Sequence, residues 1–157
     1  MTEENPTREV VTALHARLRR FAAVVAPVEM DPDDLMQEAW VRVLRAHAME
    51  DYDDIAAYMR RTIVNLAANE RRRLGRGRRA LTSLGTQSAL VVDPTYPSDL
   101  AELQRLSAED RAVLYLVEVE RWSHRDVAAA LGCSEGASRV RFSRARQRLR
   151  LELEGTS

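Results

Sequence analysis

Apolar residues recur every three or four positions through the first third of the chain, the spacing of amphipathic helices. Val10, Val11, Leu14, Leu18, Phe21 and Val25 form the first stripe, with Arg17, Arg19 and Arg20 outside it. Thr7 is placed to cap that helix and Pro27 ends it. A second helix starts at Asp31 as cap, with Pro32 at its first position and Asp33 and Asp34 in the first turn, where carboxylates complement the helix dipole. Its stripe is Leu35, Ala39, Val43 and Leu44, flanked by Met36 and Trp40. The run AHAMEDYDD breaks the pattern and reads as an acidic loop. A third helix, starting near Asp53 or Asp54, carries Ile55, Tyr58, Met59, Thr62, Ile63 and Leu66 on its buried side. It turns basic through Arg73 and is expected to stop around Gly75 and Gly77.

Residues 78–99 lose the period and are punctuated by Gly85, Pro94 and Pro97, which predicts a flexible linker. Ser98 or Asp99 then caps a short helix with Leu100, Leu103 and Leu106 inward. From Leu106 to Arg150 three helix starts are written as caps, at Ser107, Ser123 and Ser134, with Asp110 and Asp126 three residues after the first two. Gly132 follows Leu131 where a helix must end in a left-handed conformation, and Cys133-Ser134 restarts the chain at once. That is helix-turn-helix spacing. In the last helix Phe142, Ala145 and Leu149 form the buried stripe. The pattern therefore predicts an all-α chain of two small helical domains, residues 1–77 and 99–157, joined by a linker over 78–98.

Composition narrows the chemistry. At 157 residues with 45% hydrophobic and 31% charged content, this is a globular chain, and the 5% aromatic share makes its cores aliphatic. No apolar run approaches the ~18 residues of a membrane span and MTEENPT is no signal sequence, so no membrane insertion and a cytoplasmic location are expected. The single Cys133 cannot form an internal disulfide and reads as a small filler of the turn. His15, His47 and His124 are too scattered to predict a metal site. No nucleophile, base and orienting group cluster, so neither catalytic residues nor a cofactor are expected, and the chain does not read as an enzyme.

The net charge of zero changes meaning when divided by segment. Residues 29–54 hold nine acids against two arginines, residues 60–79 eight arginines against one glutamate, and residues 134–150 six arginines against one glutamate. Opposite charge blocks suit different partners, the basic ones a polyanion and the acidic one a protein. A basic helix behind a tight turn is shaped for a DNA major groove, where arginine pairs with guanine or clamps phosphates.

Three runs together carry a family resemblance: DPDDLMQEAWVRVLRA (31–46), AYMRRTIVNLAANERRR (57–73), and the Leu106–Arg150 segment that opens L-x-x-x-x-R-x-V-L. In this order, and across essentially the whole chain, they resemble the extracytoplasmic-function (ECF) sigma factors of the sigma-70 family. The resemblance implies a region 2 three-helix bundle and a region 4 helix-turn-helix. It implies core RNA polymerase (its largest-subunit coiled coil and flap) and promoter DNA as partners, with an anti-sigma factor as a further one. Asp34, Leu35, Gln37, Glu38 and Trp40 match the polymerase-docking helix. Residues 47–54 match the loop, and residues 57–73 the helix, that recognise and melt the −10 element. Asn65 matches the asparagine that holds a base turned out of the stack, and Arg60, Arg61, Asn69, Arg71, Arg72 and Arg73 would line the strand. Arg139, Val140, Arg141, Ser143, Arg144 and Arg146 fall on the helix that reads the −35 element.

The chain departs from the family pattern at a few positions. Ala137 and Ser138 stand where a threonine-valine pair is common, Val140 where serine is, and Asn69 where an aspartate is usual. Ser138 is expected to weaken a core contact, and Val140 to offer methyl groups to thymine. Two other readings of the residues are a stand-alone helix-turn-helix regulator and a sigma-mimicking adaptor that binds an anti-sigma factor.

Overall fold

The computed structural model describes residues 6–46, 52–83 and 102–155. These form α1 (Pro6–Val25), α2 (Pro32–Ala46), α3 (Tyr52–Ser83), one 3₁₀ turn (Leu103–Arg105), α4 (Ala108–Glu118), α5 (His124–Leu131) and α6 (Glu135–Gly155), with no strand among the described residues. Capping chemistry sets the boundaries. The Asp31 carboxylate accepts the Asp33 amide at 2.8 Å, and Ser107, Ser123 and Ser134 accept the amides of Asp110, Asp126 and Ala137 at 3.1, 3.1 and 3.0 Å. Gly132 ends α5 at φ 69°, ψ 36°, left-handed as its position required.

Several boundaries differ from the pattern. Proline is pre-shaped for a first helical turn, so α1 begins at Pro6 and Thr7 lies inside it. Likewise α3 begins at Tyr52, which puts Asp53 and Asp54 in its first turn. It runs through Gly75 and Gly77 to Ser83, because the arginines and leucine around them favour helix strongly enough to outweigh about 1 kcal/mol per glycine. The first residues assigned to the linker are thus helical, and residues 84–101, with Ser98, Asp99 and Leu100, lie outside the described residues, as does the acidic loop over 47–51.

Burial also corrects two stripes. On α1, Leu14, Leu18, Phe21 and Val25 are buried, whereas Val10 and Val11 are exposed because no described element covers the first turns. On α2, Met36 is buried and Leu44 is 58% exposed. Leu44 stands nine residues past Leu35, about 180° round a helix that turns about 100° per residue, so it points away from the core.

Helices α1 to α3 pack together, and α4 to α6 form the helix-turn-helix unit, but the two do not stand apart. α4 lies on α1 and α3, and α5 lies on α3. One continuous core runs from Leu18, Phe21 and Leu35 through Met59 and Ile63 to Ala112, Val113, Leu116 and Val127. Leu106, Leu114 and Ala145, with Phe142 and Leu149 against them, fill a smaller core under α6. α3 consequently buries two sides. Met59, Ile63 and Leu66 belong to the predicted stripe, while Arg60, Val64, Ala67 and Ala68 lie about 100° further round and are buried as well.

The seam between the two units carries a sharp turn and a half-buried phenol. The turn, between α4 and α5, is made by Arg121 at φ 60°, a left-handed conformation without glycine, and the Trp122 amide reaches back to the Leu116 carbonyl at 2.9 Å. The phenol is that of Tyr115, which sits 6.1 Å from the Phe21 ring; burial, helped by the charge of Glu120, raises its hydroxyl above the ordinary 10.0. Above pH 10 an unfolded tyrosine gives up its proton while folded Tyr115 keeps it, so the folded state holds more protons and loses stability as pH rises. Urea midpoints should therefore fall more steeply as pH rises above 10 in the parent chain than in Tyr115→Phe; equal slopes would assign the loss to other groups.

Candidate nucleic-acid interface

The exposed side of α3 is a line of polar residues at helical spacing. Asn65 and Asn69 are exposed there, followed by Arg72, Arg73 and Arg76. Arg73 is held by Glu70 at 2.6 Å, which raises the arginine pKa and lowers that of the glutamate, and Arg72 reaches Glu109 at 3.8 Å. Asn65 opens into a cleft lined by Arg61 and Val64 on its own helix and by Glu109, Leu131, Cys133 and Arg141 across from it.

Three arginines expected to track phosphates point elsewhere. Arg60 is 3% exposed, its guanidinium 3.1 Å from the Glu120 carboxylate and 4.5 Å from the centre of the Trp122 ring. Arg61 donates to the Ala129 carbonyl at 3.0 Å. Arg71 donates to the carbonyls of Leu106 and Arg105. The physical reason is that the helix-turn-helix unit packs against this side of α3: its Glu120 and backbone carbonyls accept from these guanidinium groups, Arg60 being buried there, Arg71 half-buried and Arg61 still exposed. In the sequence the same residues read as part of one undivided basic block.

α6 presents a second polar face. Gly136, Ala137, Val140, Ser143, Arg144 and Gln147 are exposed and lie along one side at helical spacing. Arg139 pairs with Glu135 at 2.6 Å and half-buried Arg141 with Asp110 at 3.5 Å, whereas Arg144 has neither ion pair nor hydrogen bond among the described residues. Arg146 is exposed on the neighbouring side. Ser138 is fully buried, and its hydroxyl lies 2.9 Å from Nδ1 of His124, whose ring meets the Phe142 edge at 5.4 Å. A hydrogen bond thus replaces the core contact that a serine is expected to weaken, and the signal for it is His124, which by spacing alone reads only as a scattered histidine.

On α2, Asp34, Gln37 and Glu38 are exposed, with Glu38 3.2 Å from Arg42. Leu35 is fully buried and takes no part in that surface, contrary to its place in the docking set. Trp40 is half-buried against the core and donates from Nε1 to His15 Nδ1 at 3.3 Å. The exposed apolar residue on this side is Leu44, which the stripe pattern assigns to the core. At the amino end Asp33 is paired with Arg19 at 2.8 Å, and that hydrogen bond holds its carboxyl below the ordinary range.

These two polar faces, one asparagine-bearing and one behind a glycine turn, coincide with two family matches. Residues 10–77 match the model for sigma-70 region 2, and residues 100–149 match that for sigma-70 region 4. The chain is 30% identical over 141 residues to the ECF RNA polymerase sigma factor SigM of Mycobacterium tuberculosis, covering 86% of this chain and 70% of that one. It is 34% identical over 155 residues to the RNA polymerase sigma-E factor of Streptomyces avermitilis, covering 93% and 84%. The chain belongs to the ECF sigma factors. Its fold is similar to that of the sigma factor RpoE in a co-crystal structure with the anti-sigma factor NepR from Bartonella quintana, with a TM-score of 0.66 and 25% identity over 94% of this chain and 96% of that one. As a sigma factor it serves transcription initiation, acting with core RNA polymerase on promoter DNA. Among the described residues of this sigma factor no helix is long and apolar enough to cross a membrane.

Proposed function

We propose that this sigma factor divides its work among three helices. The outer side of α2, with Asp34, Gln37 and Glu38 and with Leu44 as apolar anchor, docks on the coiled coil of the polymerase largest subunit in the cytoplasm. The exposed side of α6, led by Arg144 with Val140 and Ser143, reads the −35 element in the major groove. α3 receives a base from the opened −10 element at Asn65 and holds the strand with Arg72, Arg73 and Arg76. The observation that carries this reading is the alignment of Asn65 with a row of exposed arginines on one side of α3. A base outside the stack needs edge hydrogen bonds, and its strand needs cations alongside.

The chain's own chemistry stops at binding, and the polymerase supplies phosphoryl transfer. Run-off transcription with core polymerase from the host tests the reading directly. Promoter-dependent transcripts are expected only with the factor added; their absence with every core enzyme of the host sinks it. Tight duplex binding by the factor alone, on spaced half-sites, would instead favour a stand-alone regulator.

Leu44 provides a sharper check on docking. Leu44→Asp should weaken binding to core polymerase by roughly 10-fold or more, the cost of removing an apolar anchor. Its urea midpoint should not move, because the side chain is already exposed. Unchanged affinity in a pull-down titration would remove Leu44 from the docking surface.

A further inference from the structure

Valine is a poor choice for the exposed side of a helix, because its branched side chain is held in one rotamer there and gains nothing when left in water. α6 nevertheless carries Val140, 49% exposed, in the middle of its outer side. At about 100° per residue, Val140 stands about 160° round the helix from fully buried Ser138 and about 140° from fully buried Ala145. It therefore points away from the core beneath. Its companions on that side, Gly136, Ala137, Ser143, Arg144 and Gln147, are small or polar, and Val140 is the large apolar side chain among them.

The neighbours let this side chain approach a base. Gly136 lies one turn before Val140, and a Cβ added there would meet nothing within 4 Å, so packing does not demand a glycine. What the missing side chain provides, with small Ala137 beside it, is room for the helix to come close to whatever it faces. The same turns are held in place from behind. The Ser134 hydroxyl accepts the Ala137 amide at 3.0 Å, and Ser138 is joined to His124 at 2.9 Å.

In a major groove the base edges offer donors, acceptors and a single apolar group, the C5 methyl of thymine. A valine seated on any other edge would cover a donor or acceptor without satisfying it, which costs affinity. We propose that Val140 makes α6 select thymine, by packing its methyl groups on the C5 methyl of one base in the −35 element. The proposal rests on the −35 role of α6 and adds which base is preferred and why. Arg144, four residues further on, stands about 6 Å along the helix, the rise of about two base pairs. The selected thymine accordingly lies within about two pairs of the base that Arg144 contacts.

The test removes one methyl group from the DNA. Holoenzyme assembled with the full chain is titrated against a promoter fragment that supports run-off, each thymine of the −35 element being replaced in turn by deoxyuridine. That base keeps every hydrogen-bonding group of thymine and lacks only the methyl. One replacement should weaken binding by about 3- to 5-fold, the worth of one buried methyl. Val140→Ala should lose a similar factor on the thymine fragment and should bind the thymine and deoxyuridine fragments equally. Val140→Ile, which keeps the branched apolar surface, should retain the preference. Circular dichroism checks that both variants are folded, and the salt dependence should be the same for all three proteins, since no phosphate contact changes. The proposal is overturned if no deoxyuridine weakens binding. It is equally overturned if the loss is as large in Val140→Ala as in the parent, which would place the methyl's effect in the shape of the duplex. Run-off together with either result leaves the sigma-factor reading intact and removes Val140 from base selection. Absence of run-off with every core enzyme of the host overturns both, because no holoenzyme then reads the element.

Discussion

Replacing Phe21 with alanine should cost about 3–5 kcal/mol of stability, the usual loss for a fully buried phenylalanine, and should loosen both halves of the chain at once. Phe21 is completely buried in α1, and its ring lies 6.1 Å from Tyr115 in α4. The core around it passes without interruption from α1, α2 and α3 into α4 and α5. The cavity left by the ring therefore weakens contacts on both sides of the seam. Urea unfolding gives the total loss, and native-state hydrogen exchange divides it. Protection should fall by similar amounts for amides of α1 and of α4. If α4 kept its protection while α1 lost it, the shared core would not be energetically shared.

The second large effect is expected at Arg144. Arg144→Ala should weaken holoenzyme binding to a matched −35 element by about 1–3 kcal/mol, the range for one arginine that reads a base edge. Its neighbours should cost less. Arg139 is already bound to Glu135 at 2.6 Å and Arg141 to Asp110 at 3.5 Å, so each must exchange an existing partner for DNA. Arg144 has no such partner among the described residues. The deciding comparison is between matched and scrambled −35 sequences at one fixed salt concentration. A loss confined to the matched sequence identifies a base contact. An equal loss on both, with a shallower salt dependence, identifies a phosphate contact and refutes the base-reading role.

Local rules are enough to read much of the fold. Ser107, Ser123 and Ser134 each accept the amide their position foretells, and Gly132 takes the left-handed conformation that the turn demands. Such features depend on a few neighbouring residues, and the sequence carries them openly. The relation between the halves depends on residues far apart in the chain. Arg60, Val64, Ala67, Ala68 and Arg71 form a second stripe on α3, but arginines at both ends make it look like part of a solvated basic face. Only their partners, Glu120 for Arg60 and the Leu106 carbonyl for Arg71, show it to be an interface. Leu44 misleads for a simpler reason: it stands next to a buried valine, and only its angle round the helix separates it from the stripe. Arg121 gives no signal at all, because a non-glycine left-handed residue carries no compositional mark.

That residue links local geometry to the packing of the two units. Held at φ 60°, Arg121 reverses the chain so that the residues before and after it, Glu120 and Trp122, converge on a single guanidinium from two directions. A more extended backbone would leave one of them facing solvent. The grip on Arg60 can accordingly be tightened or slackened from a three-residue turn that belongs to neither reading helix. Variation there would change how firmly α3 is held to the α4–α5 turn while the exposed faces of α3 and α6 stay as they are.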